Sequence, residues 1–564
     1  MNPVRSLHQR CGSSNTCSQN GLVLGFTSNG VKVVNSLQMQ EIDRKSISDY
    51  GIKSLDLMEN AGRKVGKVAM KMAREGSSIC VCCGGGNNGG DGLVVARYLA
   101  KKNYKIRAFL FSEKLSKDTS ANLEIIKKRK ISFAPIYNEH ALKQYKETIF
   151  SCDLIIDALT GTGLKGEAKG FLKDAISFLN HTGLPILSVD CPSGLTSDIN
   201  LSSENCIRAF ATVTLALPKI DLLIYPGREF VGNLYIADIG IPKQLLDFYE
   251  EKIKTELIDK NLIISWLNIP RKPDSHKGDF GHVFILAGSR NASGASVLAS
   301  KGALRSGAGL VTLGVPESIH PIVATKLTEA MTLSLPETKE GSLSLKAEEK
   351  ILKFISDKAD VVVIGPGISL NKETGKLIRK LLVKIKKPVL IDADGITHLS
   401  GNINILKSRK DITVITPHPG EMSRLVASSS REINKKRVEA ARDFSLKHKI
   451  YTILKGASTV IGTPTGEVFI NITGNPAMSS GGMGDVLSGL ISGYMAQKFS
   501  AKQAIIMGVY IHGLAADYLE TKMGERGILA GELADIIPLV SKKLIKTNLS
   551  ANQQAELTDK VFLI

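Results

Sequence analysis

Short runs of Val, Ile and Leu alternate with longer helical patterns along this chain from about residue 34 onward. This order is typical of βα units, in which parallel strands form a sheet and helices cover its faces. The runs that we interpret as strands cover residues 78–83, 105–111, 154–158, 185–190 and 212–217, and then 282–287, 310–315, 360–364, 389–392, 413–416 and 452–455. The sequence therefore predicts an α/β fold on mainly parallel sheets.

The chain is too long for one typical core. Its 564 residues favour two large domains or more. A polar, charged stretch over residues 252–277, with Pro270 and Pro273, marks the boundary. Motif spacing differs between the two halves, which favours a fusion over an internal repeat. We expect a disordered leader over residues 1–33, domains over 34–250 and 260–545, and a tail over 546–564.

The charge balance favours small anionic ligands over nucleic acid. Lys and Arg total 73 against 54 acidic residues, which gives a formal net charge of +19 and suits phosphorylated ligands. The basic residues are scattered, and aromatic residues make up only 5% of the chain, unlike the basic and stacking surfaces that bind nucleic acid. We therefore expect nucleotides or dinucleotides as ligands and no nucleic-acid partner.

Cysteine use and hydropathy indicate a reduced compartment and no membrane span. Eight cysteines in a chain of this length do not make a disulfide scaffold. Cys80 and Cys83 have C-x-x-C spacing, but they end a predicted strand rather than open a helix, so packing is favoured over a redox role. No stretch approaches the roughly 18 apolar residues that cross a bilayer. We expect a cytoplasmic protein with no membrane partner.

A glycine-rich segment near the C-terminal end, Gly481-Gly482-Met483-Gly484-Asp485, indicates phosphate chemistry. Its glycines free backbone N–H groups to face an anion, and a helical pattern follows directly. A carboxylate beside an anion site would repel the ligand unless it acted on a neighbouring hydroxyl, so the arrangement suggests phosphotransfer with Asp485 as base. The alternative is a glycine-rich turn with an acidic helix cap.

In the first half, three polar loops follow predicted strands. They cover residues 84–92, 157–167 and 188–194, and they are rich in Gly, Asn, Asp and Ser. Open α/β sheets bind ligands at the carboxyl ends of their strands, so three such loops predict one convergent site. Taken singly, each loop is equally well explained as turn chemistry. Their amide and carboxylate oxygens also suit a hard cation.

Together these loops resemble the NAD(P)H-hydrate epimerase domain, over roughly residues 34 to 247. The resemblance implies a Rossmann-like three-layer α/β/α domain that interconverts the R and S forms of hydrated NADH and NADPH (NADHX and NADPHX). It implies that Asp190 acts on the reacting ring with help from Lys219. It also implies a potassium site formed by Asn88, Asp157 and Ser193. The hydrate-binding residues that it implies are Asn87, Asn88, Gly89, Gly90, Asp91, Gly161, Thr162, Gly163, Leu164, Lys165, Gly166, Glu167 and Asp190.

The second half resembles the ADP- or ATP-dependent NAD(P)H-hydrate dehydratase, which has a ribokinase-like α/β/α fold, from about residue 274 to 539. The motifs that carry the resemblance lie at residues 276–281, 364–367, 416–421, 454–459 and 481–485. It implies that phosphorylation of the ring hydroxyl turns it into a leaving group, with Asp485 as base. The substrate contacts that it implies are Ala295, Gly367, His418 and Asp485, and the nucleotide contacts are Lys455, Gly456, Ala457, Ser458, Thr459, Gly482, Met483 and Gly484. Magnesium would bridge the phosphates with Glu421 nearby.

A chain with both halves resembles the bifunctional NAD(P)H-hydrate repair enzymes. The chain departs from the family pattern at two places. Asp221 stands where the family usually has a glycine. In the segment Gly395-Ile396-Thr397 the family usually has an alanine at the first position and an asparagine at the last. A ribokinase-like kinase of a sugar or a pyrimidine vitamin, fused to a non-catalytic nucleotide-binding module, stays open as an alternative. The sequence does not choose between ADP and ATP, and we expect a homo-oligomer.

Overall fold

The computed structural model of the protein describes residues 30–164, 166–196, 202, 204–546 and 560–564. The predicted leader lies outside the described residues except for its last four, and the predicted tail is described only at its two ends. A membrane span is not found within these ranges, because none of their helices combines sufficient length with sufficient hydropathy.

The first half is built on an eight-stranded sheet in the order β19-β8-β7-β6-β5-β2-β3-β4, and every pair in it is parallel. The central strands are apolar and buried along their whole length, as expected for a sheet covered by helices on both faces. The strands are β2 (Ser78–Cys83), β3 (Lys105–Leu110), β4 (Ser132–Pro135), β5 (Leu154–Ala158), β6 (Ile186–Val189), β7 (Ala211–Leu215), β8 (Asn233–Ala237) and β19 (Val561–Leu563).

Helices cover both faces of this sheet, and two separate apolar clusters fill the two interfaces. The helices are α1 (Ser36–Ser48), α2 (Ser54–Met72), α3 (Asn87–Ala100), α4 (Lys117–Lys128), α5 (Glu139–Gln144), α6 (Lys146–Phe150), α7 (Phe171–Asn180) and α8 (Lys243–Glu250).

The second half is built on an eleven-stranded sheet in the order β1-β9-β18-β17-β16-β15-β14-β13-β10-β11-β12. The pairs from β16 through β15, β14, β13, β10 and β11 to β12 are parallel, whereas β17 pairs antiparallel with both of its neighbours. The strands are β1 (Val31–Lys32), β9 (Thr255–Leu257), β10 (His282–Leu286), β11 (Leu310–Pro316), β12 (Met331–Leu335), β13 (Val361–Ile364), β14 (Val389–Ile391), β15 (Thr413–Ile415), β16 (Tyr451–Leu454), β17 (Thr459–Gly462) and β18 (Val468–Asn471).

Two large apolar clusters cover the two faces of the second sheet. The helices that contribute to them and flank the sheet are α9 (Lys260–Leu267), α10 (Ser293–Arg305), α11 (His320–Lys326), α12 (Glu348–Lys358), α13 (Lys372–Lys384), α14 (Asp394–Thr397), α15 (Pro419–Val426), α16 (Ser430–Lys435), α17 (Arg437–His448), α18 (Met483–Ala496), α19 (Ala501–Met523) and α20 (Ala530–Lys546). The predicted fold class, two layered α/β domains on mainly parallel sheets, is confirmed.

Each sheet reverses its strand order at one point. In the first sheet the chain leaves β2 for β3 on one side and later returns to β5 on the other; β10 lies in the same way between β11 and β13. At such a switch point the loops after the two central strands diverge and leave a crevice for a ligand. The loops after β2 and β5, and those after β10 and β13, therefore define where each half can hold a substrate.

The chain ends are exchanged between the two sheets. Strand β1 pairs antiparallel with β9 in the second sheet, whereas β19 pairs in parallel with β8 in the first. Lys560 adds a cross-link, because its Nζ lies 2.9 Å from Asp517 Oδ1 in helix α19. One apolar cluster also contains residues of both halves, for example Leu222 and Leu454. Residues 252–277 thus carry β9 and α9 rather than a bare connection.

The glycine-rich segment after β2 differs from the prediction. We predicted a loop through residue 92, but helix α3 already begins at Asn87. A Cβ on Gly92 would lie 2.7 Å from Ala158 Cβ, and one on Gly89 would lie 2.0 Å from Gly84 O. The glycines therefore serve close packing of the first turns of a helix against the sheet, and not loop freedom.

Candidate active sites

A cavity of about 560 Å³ lies at the switch point of the first sheet. Its walls come from the loops after β2, β5 and β6, and helices α1 and α2 close it. Eight of the predicted hydrate-binding residues line it, namely Asn87, Asn88, Asp91, Gly161, Thr162, Gly163, Leu164 and Asp190. Gly89, Gly90, Gly166 and Glu167 are not among its described lining residues, and Lys165 lies outside the described residues.

Asp157 is fully buried behind this cavity, and donors surround both of its oxygens. Ser193 Oγ donates to Oδ1 at 2.5 Å, while Ser188 Oγ and Ser193 N donate to Oδ2 at 2.8 and 2.9 Å. Burial raises the pKa of the carboxyl, and the bonds from Ser193 and Ser188 oppose this rise. Asp157 thereby fixes the loop after β6 against the end of β5.

Asn88 supplies an oxygen without a hydrogen-bond donor. Its side-chain amide donates to Thr160 O at 3.0 Å, but no described residue donates to its Oδ1. Ser193 Oγ lies 3.1 Å from the same Thr160 carbonyl, so amide, hydroxyl and carbonyl oxygens meet beside Asp157. One carboxylate with several neutral oxygens suits a cation of low charge, so these residues fit the potassium that the resemblance implies.

Asp190 and Lys219 form a buried ion pair in the cavity wall, where the loops after β6 and β7 meet. Lys219 Nζ donates to Asp190 Oδ1 at 2.5 Å and also to Thr214 Oγ1 and Leu215 O at 3.1 and 3.0 Å. Leu215 N–H donates to the same carboxylate oxygen at 3.2 Å. Asp190 has a φ of 65°, in the left-handed region, which turns its side chain out of the strand end toward the cavity. The predicted pairing of these residues is present.

Three further carboxyls line the same cavity, those of Asp43, Asp91 and Asp118. Burial raises the pKa of Asp91 far above its ordinary value, and the nearby charges of Asp190 and Asp43 add to the rise. Asp43, on helix α1, was missing from the sequence prediction. Burial raises its pKa to about 6, with Lys219 opposing and Asp190 adding to the rise.

In the second half the predicted anion site lies at the first turn of helix α18. Gly482 caps the helix with a φ of 89°, a conformation that favours glycine. A Cβ on Gly484 would lie 3.3 Å from Lys455 Nζ and 3.9 Å from Asp392 Oδ2. The free N–H groups of Gly482, Met483 and Gly484 and the Lys455 ammonium therefore converge, as an anion requires.

Lys455 is held by Asp392, a residue directly after β14 to which the sequence analysis assigned no role in the site. Lys455 Nζ donates to Asp392 Oδ1 at 2.8 Å, and hydroxyls of Thr416 and Ser488 donate to the two carboxylate oxygens at 2.6 Å each. Burial would raise the pKa of Asp392, but Lys455 and these hydroxyls outweigh it and lower the pKa. Asp392 is therefore an anion at neutral pH, and it orients Lys455.

The pKa of Asp485 is shifted in the opposite direction to that of Asp392. Burial raises its pKa to about 7, and the charge of Asp392 adds to the rise while Lys455 opposes it. The carboxyl lies in the first turn of α18, directly after the N–H groups of the anion site. A carboxyl that changes its charge near neutral pH beside a phosphate site is suited to general-base chemistry.

His418 and Glu421 form a capping box at the start of helix α15. His418 Nδ1 accepts from Gly420 N and Glu421 N, and Glu421 Oε2 accepts from His418 N at 2.8 Å. Burial lowers the pKa of His418, with Lys455 adding to the effect, and burial raises that of Glu421. One Glu421 oxygen is thus committed to the helix, and the other, Oε1, lies 3.4 Å from His418 Nε2.

The remaining predicted contacts lie around this centre on loops, at the start of helix α10 and at the start of strand β17. A Cβ on Gly367, at φ 60°, would lie 2.9 Å from the Cβ of Ala295, so the two meet at the switch point. Arg437 Nη2 donates to Lys455 O at 3.0 Å and supports the loop of Lys455, Gly456, Ala457, Ser458 and Thr459. Ser458 Oγ points away from the anion site and donates to Leu223 O of the first half at 2.5 Å.

The departure at Gly395 has a packing reason. A Cβ at this position would lie 2.8 Å from Ile364 O and 3.1 Å from Gly365 Cα, so an alanine does not fit without movement of the backbone. Thr397 Oγ1 lies 3.4 Å from Arg424 Nη1 at the surface. Asp221 lies in a 3-10 turn, Ile220–Leu222, directly after Lys219.

Comparisons with characterised proteins agree on one family. A profile described as NAD(P)H-hydrate dehydratase matches residues 283–539, and one described as YjeF-related protein N-terminus matches residues 54–220. The bifunctional NAD(P)H-hydrate repair enzyme Nnr of Moorella thermoacetica is 39% identical over 527 residues, covering 91% of this chain and 97% of the relative. The enzyme of the same name from Escherichia coli is 34% identical, covering 87% and 90%.

One similar solved structure is the ADP/ATP-dependent NAD(P)H-hydrate dehydratase from Bacillus subtilis, co-crystallized with ATP and Mg²⁺. It is 30% identical, covers 51% of this chain and 98% of its own, and has a TM-score of 0.44.

Proposed function

The chain belongs to the family of bifunctional NAD(P)H-hydrate repair enzymes, and from this premise we propose that it carries out two successive reactions on hydrated NADH and NADPH. The first interconverts the R and S hydrates. The second dehydrates the S hydrate to NADH or NADPH and consumes ADP or ATP, giving AMP or ADP and phosphate. The observation that carries the proposal is that each half holds a buried lysine–carboxylate pair at its site. Lys219 pairs with Asp190 in the first half. Lys455 pairs with Asp392 in the second half, and Asp485 lies close enough to help raise the pKa of that lysine.

The epimerisation site is the cavity of the first half. Its volume of about 560 Å³ accommodates a hydrated nicotinamide ring and part of its ribose phosphate. Asp190 faces the ring and accepts or returns a proton, and the Lys219 ammonium holds the carboxylate in place. Asn88, Asp157 and Ser193 would hold potassium, which would supply a positive charge for the phosphates of the dinucleotide.

The dehydration site is the start of helix α18. We propose that Asp485 takes the proton of the ring hydroxyl while the hydroxyl oxygen attacks the terminal phosphoryl group of the nucleotide. AMP or ADP leaves with the electron pair of the broken P–O bond. The N–H groups of Gly482, Met483 and Gly484 stabilise the charge on that phosphoryl group. Phosphate then leaves with the C–O electron pair, the neighbouring ring carbon loses a proton, and the double bond of NADH forms.

Nucleotide and magnesium would bind around Lys455. The ammonium, oriented by Asp392, lies against the first turn of α18, where it would contact the terminal phosphates. Within the described residues no cluster of three or more His, Cys, Asp or Glu side chains forms a closed metal site. This suits magnesium, which usually binds through substrate phosphates, waters and one or two carboxylates. Glu421 would contact it through a water.

The alternative of a small-molecule kinase is not favoured, because the family match extends over both halves of the chain. The two reactions still predict different products. A kinase releases a phosphorylated acceptor, whereas hydrate repair returns NADH and free phosphate.

The test is an assay of the purified full chain on a mixture of the R and S hydrates of NADH, with ADP and ATP supplied separately and potassium present or absent. We expect complete conversion of both epimers to NADH with at least one nucleotide and potassium-dependent supply from the R form. Without nucleotide we expect interconversion only. Accumulation of a stable phosphorylated product would contradict the proposal.

A further inference from the structure

The epimerisation cavity contains an acidic side chain that neither the mechanism above nor the sequence motifs use. Asp43 lies on helix α1, which precedes all of the strand-end loops in the sequence. It lines the cavity together with Asp190 and Lys219. Its carboxyl is partly buried, and it makes no hydrogen bond or ion pair with any described residue. A carboxyl that faces a substrate cavity without a partner is available to a ligand.

Asp190 alone is poorly suited to both proton transfers of an epimerisation. One of its oxygens already accepts from Lys219 Nζ and from Leu215 N–H, which leaves this carboxyl little freedom to serve as both proton donor and proton acceptor. Interconversion of two epimers at one hydroxyl-bearing carbon requires the hydroxyl to leave from one face and water to return on the other. The leaving hydroxyl needs a proton donor, and the returning water needs a proton acceptor.

We propose that Asp43 is a second catalytic carboxyl of the epimerisation site, acting as the acid where Asp190 acts as the base. The inference rests on the proposed function of this cavity. The protonated Asp43 gives its proton to the ring hydroxyl, the C–O bond breaks, and water departs with the electron pair. The lone pair of the adjacent ring nitrogen forms a C=N bond. Water adds to the opposite face, its proton passes to Asp190, and the C=N pair returns to nitrogen. In the reverse direction the two carboxyls exchange roles.

The electrostatics of the cavity agree with this division. The ionisable groups that line the cavity with Asp43 are Asp190, Lys219, Asp91 and Asp118. Burial raises the pKa of Asp43 to about 6, so both of its protonation states are populated near neutral pH. Asp190 is bonded to an ammonium whereas Asp43 has no partner among the described residues. Two carboxyls in such different environments are a usual arrangement for an acid and a base in one site.

The test compares Asp43→Asn in the full chain with Asp49→Asn, which makes the same change at an exposed position at the end of the same helix. Epimerisation is followed by separating the R and S hydrates in the presence of potassium and the absence of nucleotide. We expect kcat of D43N to fall by about 100-fold or more, the usual effect of losing a proton-transfer group, with KM changed by less than about threefold. The D49N variant should match the parent.

Two readouts separate a catalytic role from a structural one. The parental pH profile should show an ionisation near pH 6 that is absent from the residual D43N activity. Dehydration of the S hydrate by the same D43N chain should match the parent, and its thermal unfolding at neutral pH should be unchanged or shifted upward. The direction follows because a raised folded-state pKa means that ionised Asp43 destabilises the fold, and Asn carries no such charge.

The inference is overturned if D43N epimerises at the parental rate, if its residual activity keeps the ionisation near pH 6, or if Asp43→Glu is no more active than D43N. A parental chain that does not interconvert the hydrates at all would instead refute the proposed function, and the inference would fall with it.

Discussion

At the scale of single residues, the second site uses two carboxyls of opposite character around one lysine. Asp392 is buried and accepts from Lys455, Thr416 and Ser488, which keeps it ionised. Asp485 shares the neighbourhood but lacks these donors, so burial raises its pKa to about 7. The lysine is thus committed to one carboxylate, and the other remains available as a base.

The Asp485→Asn variant should lose dehydration but keep epimerisation. Removal of a positioned base should lower the rate of NADH formation by about two to four orders of magnitude, while the N–H groups and Lys455 still bind nucleotide. In the parent the rate should fall as pH drops below about 7, because protonation removes the base. NADH absorbance with S hydrate and either nucleotide measures both effects. A parental rate in D485N would refute the phosphotransfer mechanism.

The Lys455→Met variant should destabilise the protein, because it leaves Asp392 buried without its ammonium partner. Loss of one member of a buried ion pair lowers the free energy of unfolding by about 3–5 kcal/mol. We expect a value near the lower end of this range, because the hydroxyls of Thr416 and Ser488 still donate to Asp392. Urea unfolding at neutral pH measures it. The lysine lowers the folded-state pKa of Asp392, so the stability that this carboxylate contributes is present above its unfolded pKa and is lost as pH falls through the folded pKa.

The difference in the free energy of unfolding between the parent and K455M should therefore become smaller at acidic pH. Lys502→Met is a matched control, because its pair with Glu467, at 3.1 Å, is largely exposed and contributes about 1 kcal/mol or less. An equal loss of stability in the two variants would contradict the importance assigned to the buried pair.

The sequence was informative about residues whose role is local and uninformative about those placed by the fold. Asp485 could be predicted because its glycines and its helix adjoin it in the chain. Asp392 and Asp43 could not, since Asp392 meets Lys455 only when β14 and β16 lie two strands apart in one sheet, and Asp43 reaches its cavity from a helix that precedes every predicted strand. The remaining site assignments, potassium and magnesium residues among them, stay predictions.

At the scale of elements, the first turn of α18 is positioned by its contact with helix α10. A Cβ on Gly489 would lie 1.9 Å from Ala299 O and 2.8 Å from Ala303 N, so the two helices approach with no space for a side chain. Because the anion site is the beginning of α18, the geometry of this contact determines where the site lies relative to Lys455.

The Gly489→Ala variant should push α18 away from α10. Overpacking of this kind costs about 1–3 kcal/mol, and the shift should lower dehydration while the first half still epimerises. Gly531→Ala in helix α20 is the control, because a Cβ there meets nothing within 4 Å; it should be neutral or stabilising by up to about 1 kcal/mol. Thermal unfolding and the two assays measure the outcome, and wild-type-like dehydration in G489A would contradict it.

Every strand predicted from the sequence is present, because buried parallel strands form continuous apolar runs. Two of the strands that were not predicted lack this signal. Strand β4 (Ser132–Pro135) is an exposed edge strand that ends in proline, and β9 (Thr255–Leu257) has only three residues. Such segments form strands only because the rest of the fold places a pairing strand beside them. Their own amino-acid composition does not predict this pairing.

At the scale of the whole molecule, the two halves share strands. The boundary near Thr255 that the sequence suggested passes through β9, which pairs with both β1 and β18. The domain limits of 34–250 and 260–545 stay predictions, and each half contributes a strand to its partner's sheet. The Ser458–Leu223 hydrogen bond further joins the nucleotide loop to the turn that follows Lys219.

Deletion of residues 560–564 should therefore lower the stability of the first half, although these residues follow the second half in the sequence. It uncovers the edge of β8 and removes the stacking of Phe562 on Tyr235, whose ring centroids are 4.8 Å apart. We expect a loss of about 1–3 kcal/mol and a lower temperature of epimerase inactivation. The Lys560→Met variant, which loses only the contacts with Asp517 and Gly474, should lose less. Unchanged epimerase inactivation after the deletion would contradict a stabilising role for β19.

The exchanged strands also set an order on biosynthesis. A ribosome delivers β8 long before Val561–Leu563, so the first sheet emerges with one edge open and stays so while every strand of the second sheet except β1 is made. An open edge pairs readily with other chains. The nascent protein therefore depends on its last strand to close its first domain, and any translational pause within the second half prolongs the period in which that domain is exposed to aggregation.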